Sequence, residues 1–194
     1  MEYKESIQIA DPEVTKIKFD KEVGKFKAIE EKYRAKGVIC SKILFPDIYF
    51  IFAIPKLTPT LIAFSIRINF NNYDLEPPSV TVINPFTEEL VRRDQVPIGF
   101  FQSNKSNPFQ PVDILQGIGD VLPFFCIPGI REYHNHSAHS GDSWFLYRTR
   151  GEGTLLFIID QLYNHSIATA KTFQSVLNLV DLKLQVQQEI KLTQ

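Results

Sequence analysis

Four apolar, β-branched segments follow one another with almost nothing between them: "VICSKILF" (38–45), "IYFIFAIP" (48–55), "LIAFSIRINF" (61–70) and "SVTVINP" (79–85). The breaks are Pro46-Asp47, "PKLTPT" and "NNYDLEPP", runs of Pro, Asn and Asp that turn a chain. Strands joined this closely can pair only by reversing direction, so the segment 38–86 predicts an antiparallel meander. In the third segment Ile62, Phe64, Ile66, Ile68 and Phe70 alternate with Ser65, Arg67 and Asn69. One face is expected to pack and the other to see water.

The packing partner is written just before the meander. Asp11 and Pro12 make a helix start, Phe19, Val23, Phe26 and Tyr33 recur at helical spacing, and Gly37 is a stop. An amphipathic helix over 11–36 is predicted, with Gly24 as a place where it could break. Residues 87–120 show little periodicity, and "QSNKSNPFQP" reads as an exposed excursion. Residues 154–192 read as helices: Leu155, Ile158, Ile159 and Leu162 in the first, Phe173, Leu177, Val180 and Leu184 on one stripe of the second. "LKLQV" also alternates as a strand would. The order gives an α+β fold in a single domain over 1–194.

A formal net charge of −1 with scattered lysines and arginines lacks the basic footprint of a nucleic-acid binder. No apolar run approaches the roughly 20 residues that span a bilayer, and the N-terminus is charged from its second residue. A cytoplasmic protein is expected, with no nucleic-acid or membrane partner. The two cysteines, Cys40 and Cys126, are then expected as free thiols. Cys40 lies within a strand and reads as a small buried hydrophobe.

The chemistry concentrates in "CIPGIREYHNHSAHSGDSW", within the segment 121–148, which holds three of the four histidines. On an extended strand Glu132, His134 and His136 would share a face. A carboxylate and two imidazoles suit zinc, and the Pro128-Gly129 turn could fold Cys126 back as a fourth ligand. His139 is an alternative final ligand, and Asp142 a carboxylate to hold a metal-bound imidazole. The plain alternative is a polar surface loop. Neither a Pro-Cys-x-x-Cys pair nor an H-E-x-x-H is present, and Ala138 stands where "HNHSAH" would need an aspartate to be a metallo-β-lactamase motif. The rival reading makes Cys126 a nucleophile activated by nearby imidazoles.

Two family resemblances bear on these alternatives. "LIAFSIRINFNNYDLEPPSVTVINP", with Tyr73, Pro77 and Pro78, resembles ubiquitin-conjugating enzymes over roughly residues 12 to 165. That resemblance implies an N-terminal helix on a four-stranded meander, helices after the active segment, and Cys126 carrying a ubiquitin-like protein as a thioester, with Trp144 in the place of the tryptophan that follows the active cysteine. The family's His-Pro-Asn tripeptide is missing here, leaving Asn84-Pro85, and the interval from Pro78 to Cys126 is longer than in the family. The Cys126 stretch also resembles the signature of a bacterial metal-binding family named for its Cys-Glu-His-His residues, matched in order by Cys126, Glu132, His134 and His136. That family is found with ubiquitin-like proteins, their activating enzymes and JAB-type peptidases. Together they imply a zinc-binding component of a bacterial ubiquitin-like modification pathway that docks on the ubiquitin-like protein or its activating enzyme. The alternatives are a conjugating enzyme acting through Cys126 and a zinc-dependent hydrolase.

Overall fold

The computed structural model describes residues 7–103, 107, 110–117, 122–180 and 183–192. Helix α1 runs Pro12–Lys27 and starts where the Asp11 carboxylate accepts the N–H groups of Glu13 and Val14, which would otherwise lack partners. The predicted single helix is two. It breaks at Ala28–Ile29 rather than at Gly24, and α2 follows over Glu30–Ala35. The break turns Tyr33 onto Phe26, with ring centroids 5.8 Å apart, and sends its hydroxyl to Asp160 at 2.9 Å. At Gly37 (φ +89) a Cβ would stand 2.1 Å from the Ala53 carbonyl oxygen, so only glycine fits.

The meander forms as the sequence implies: β1 (Val38–Leu44), β2 (Asp47–Ile54), β3 (Leu61–Asn69) and β4 (Ser79–Ile83), antiparallel and in the order β1-β2-β3-β4. Phe64, Ile66, Ile68 and Phe70 are all buried. They face Phe19 and Phe26 of α1 and, from α4 (Leu155–His165), Leu155, Ile158, Ile159 and Leu162 in one core. Each such side chain contributes about 1.5–3 kcal/mol. The other face departs from expectation. Ser65 and Asn69 are buried, and the Asn69 amide donates to the Asp47 carboxylate at 2.9 Å.

Helices α1 and α4 are tied by a buried carboxylate. Glu22 accepts the Leu155 N–H at 3.1 Å, at the first residue of α4, where a negative charge meets the positive end of the helix dipole.

Residues 87–120 are less irregular than predicted. Strand β5 (Phe101–Gln102) pairs with β6 (Val112–Asp113), and β7 (Leu115–Gln116) with β8 (Phe124–Phe125). Residues 104–106 and 108–109 of the predicted excursion lie outside the described residues. Phe100 and Phe125 are fully buried with centroids 5.1 Å apart, so the chain enters the Cys126 stretch from a fixed point in the core.

The last predicted helix is not one. Residues Ala170–Val180 form β9 and Lys183–Leu192 form β10, an antiparallel pair with Val186 opposite Leu177 and Ile190 opposite Phe173. Phe173, Leu177, Val180 and Leu184 fit a helical stripe, yet the alternation of Leu182, Leu184 and Val186 with Lys183, Gln185 and Gln187 has the period of a strand and governs. Among the described residues no helix is long and apolar enough to cross a membrane.

Candidate active site around Cys126

Strand β8 ends at Phe125, and Cys126 follows with its N–H bonded to the Ile114 carbonyl. The Ile127–Ile130 turn contains Gly129 at φ +92, where a Cβ would stand 2.3 Å from Gly153 N. This turn delivers the chain into α3, Arg131–Asn135. Its position is set by Arg131, whose N–H reaches the Pro78 carbonyl at 2.9 Å and whose Nε reaches Pro77 at 3.1 Å. The Pro77-Pro78 segment, singled out in the sequence, is therefore the dock for α3.

That α3 is helical overturns the expected E-x-H-x-H strand. Two residues along a helix are about 200° apart, so Glu132 and His134 point in nearly opposite directions where a strand would align them. Glu132 turns to the sheet: its carboxylate accepts the Ser79 hydroxyl and the Val80 N–H, the latter at 3.2 Å. Burial raises its pKa, against the pull of these two donors and Arg131.

His134 is held at both nitrogens. Gly129 N–H donates to Nε2 at 3.0 Å, so Nε2 carries no proton and Nδ1–H donates to the Asp142 carbonyl at 2.6 Å. Its pKa is lowered, chiefly by burial, and the ring is a neutral staple between the Gly129 turn and the Asp142 loop. Trp144 and Tyr147 flank it with centroids at 5.7 and 5.3 Å. Trp144 is fixed by its own indole N–H, bonded to the Asp74 carbonyl at 2.9 Å.

His136 lies at the surface, where its ring stacks on Phe124 at 5.1 Å and Nδ1 accepts the Ala138 N–H. The five candidate ligands thus resolve into separate roles. Glu132 braces the sheet, His134 staples two loops, and His136 rests on Phe124. Only Cys126 and His139 meet, with Sγ and Nε2 3.3 Å apart. Among the described residues no group of three or more His, Cys, Asp and Glu side chains is placed to hold a metal ion. Of the predicted Cys, Glu, His, His set, the structure holds Glu132 and His134 on separate partners, Ser79 and Val80 for the first and Gly129 and Asp142 for the second.

The fold brings a thiol, an imidazole and a carboxylate next to one another. His139 Nδ1 is 3.5 Å from Asp142 Oδ2; with the ring proton on Nδ1, the Nε2 lone pair would face the thiol. The Tyr133 ring stacks on His139 with centroids 3.9 Å apart and planes at 24°. Its hydroxyl donates to Asp142 Oδ2 at 2.6 Å, and Tyr147 donates to Oδ1 at 3.3 Å. The Tyr133 hydrogen bond is the first reason that the Asp142 carboxyl titrates below the usual carboxylate range, so it is ionised at neutral pH. Burial pushes the Cys126 thiol up. Sγ is therefore protonated at neutral pH and needs a base to become a nucleophile. The geometry is that of nucleophile, base and orienting group. Tyr133 and Tyr147 carry no motif signal in the sequence; only the fold of 126–147 around His139 reveals their part.

A family model described as Y4jH-like, the Y4jH family, matches residues 10–118 and 105–170, which takes in the whole site. The chain is also 37% identical, over 183 residues that cover 87% of it and 89% of the relative, to a protein of Sinorhizobium fredii (strain NBRC 101917 / NGR234) described as uncharacterized protein y4jH.

Proposed function

The chain belongs to the Y4jH-like family, and from that premise we propose that it is a thiol acyl-transfer enzyme of ubiquitin-conjugating type, carrying an acyl group as a thioester on Cys126. The donor is the C-terminal acyl group of a ubiquitin-like protein, delivered by its activating enzyme. The observation that carries this reading is the 3.3 Å approach of His139 Nε2 to Cys126 Sγ. The fold is consistent with it: a helical N-terminal segment, a four-stranded meander in sequential order, then, after the longer segment that holds β5–β8, Cys126, Trp144 and α4.

The missing His-Pro-Asn tripeptide has a replacement of different chemistry. His139 Nε2 takes the thiol proton as Sγ attacks the donor carbonyl. The new S–C bond forms, the donor's C–S bond breaks, and the imidazolium gives the proton to the departing thiolate. Asp142 stabilises the imidazolium while it exists, and the Tyr133 ring keeps its plane.

The test is intact mass after incubation with a small activated donor, the 2-mercaptoethanesulfonate thioester of N-acetylglycine. Wild-type protein is expected to gain one acetylglycyl group, removable by dithiothreitol; Cys126→Ala gains none, and His139→Asn gains it more slowly. Elemental analysis of the same samples addresses the zinc reading of Cys126, Glu132, His134 and His136, with His139 as the alternative ligand. About one zinc per chain, lost in both variants, would make the pair ligands and overturn the nucleophile.

A further inference from the structure

We propose that the acyl group on Cys126 is passed to an oxygen nucleophile, water or an alcohol, rather than to the amine that the resemblance to conjugating enzymes implies. This rests on the reading of Cys126 as the acyl carrier. A neutral amine attacks a thioester with its lone pair and sheds its proton afterwards. Water or an alcohol must lose its proton as the new bond forms, and a base has to stand at the point of attack.

Such a base is present and becomes free on acylation. Once sulfur bears the acyl group it has no proton, and the His139 Nε2 lone pair, 3.3 Å from Sγ, is left beside the thioester carbonyl. Nδ1 lies 3.5 Å from the Asp142 carboxylate, and in the tautomer protonated there Nε2 is the accepting nitrogen. The imidazole side chain is 23% exposed, enough for an incoming hydroxyl to reach its edge. Asp142, the carboxylate beside the dyad, already accepts the Tyr133 and Tyr147 hydroxyls.

In the step, the oxygen attacks the thioester carbon while Nε2 takes its proton. The tetrahedral intermediate collapses, the C–S bond breaks with its electron pair on sulfur, and the imidazolium returns the proton to that sulfur. The products are the free thiol and either an acid, from water, or an ester, from an alcohol.

The experiment isolates the acetylglycyl adduct on full-length protein and follows its decay by intact mass and product analysis in buffer alone, with glycerol, and with free lysine. Release as acetylglycine or its glycerol ester is expected, slowed about a hundredfold in His139→Asn, with lysine discharge changed less than threefold. Asp142→Asn provides a second variant, expected to slow release to oxygen by about tenfold. The water and glycerol arms separate hydrolysis from transfer to an alcohol. An adduct that persists in buffer and glycerol but discharges to lysine, or one that decays equally fast in both variants and wild type, overturns the inference and leaves the acyl-carrier reading standing. If no adduct forms, the acyl-carrier reading itself falls and this inference with it.

Discussion

His139 Nε2 stands 3.3 Å from Cys126 Sγ, across thirteen residues of chain, and the contact exists because α3 reverses the backbone between them. Burial raises the pKa of this thiol, and the proposed role of the imidazole is to take its proton. Alkylation of Cys126 by iodoacetamide at neutral pH is expected to slow about tenfold or more in His139→Asn. Cys40 alkylation in the same sample should not change. Equal rates for Cys126 in wild type and variant would show that the imidazole does not act as its base.

Tyr133 acts on His139 in two separable ways. Tyr133→Phe keeps the stacked ring but loses the hydroxyl's 2.6 Å bond to Asp142, a change expected to cost about 1 kcal/mol of stability and to slow Cys126 alkylation several-fold. Tyr133→Ala removes a buried ring and is expected to cost about 3 kcal/mol or more. Urea unfolding alongside alkylation rates separates the two effects; a Phe variant as unreactive as the His139 variant would assign the whole effect to the hydroxyl.

Glu132 distinguishes a brace from a metal ligand. In Glu132→Gln the amide oxygen can accept the Val80 N–H while its NH2 donates to a rotated Ser79 hydroxyl, so stability should stay within about 1 kcal/mol and Cys126 reactivity should hold. Glu132→Ala leaves both donors without their acceptor, at about 1–3 kcal/mol each. A Gln variant that folds but loses Cys126 reactivity would contradict the assignment of Glu132 to the sheet.

Glu22 is the corresponding test of the α1–α4 junction. Its carboxylate is buried and accepts the Leu155 N–H, so Glu22→Ala is expected to destabilise by about 1–2 kcal/mol, the range for losing a helix cap. Chemical denaturation reads the loss. No change would mean that water replaces the carboxylate at the start of α4.

Acid stability should depend on Asp74. Burial pushes its carboxyl up, but the bond from Lys18 and the nearby charge of Arg148 outweigh this, and the net shift is downward. A carboxyl depressed in the folded state contributes stability that is full above its unfolded value of about 3.9, and that is lost as pH falls through the lower folded value. Lys18→Met should therefore lower the urea midpoint at pH 7, with the difference from wild type closing as pH falls below the unfolded value and through the lower folded one. A difference that stays constant on acidification would mean that Lys18 acts by packing alone.

Much of the architecture was legible because it rests on local patterns. The alternation of Phe64, Ile66 and Ile68 sets a strand whatever lies around it, Asp11-Pro12 marks where the first helix begins, and Gly37 marks where helix gives way to sheet. Where two periods competed, as from Phe173 to Leu192, the helical stripe misled, since a stripe of four apolar residues is compatible with either period until backbone pairing selects one.

At the site the sequence determined the inventory: a thiol, three imidazoles and two carboxylates within the span from Cys126 to Asp142. It could not determine which of them meet. That was decided by Arg131, which fixes α3 against the Pro77-Pro78 carbonyls and so makes Glu132 and His134 diverge. The His136–Asp142 turn then brings His139 back beneath Tyr133. Direction in a five-residue helix comes from what its ends are tied to, 54 residues away in the case of Arg131 and Pro77. A short polar segment lacks the apolar periodicity that records its facing in sequence, so only tertiary contacts decide which of these side chains stand next to one another.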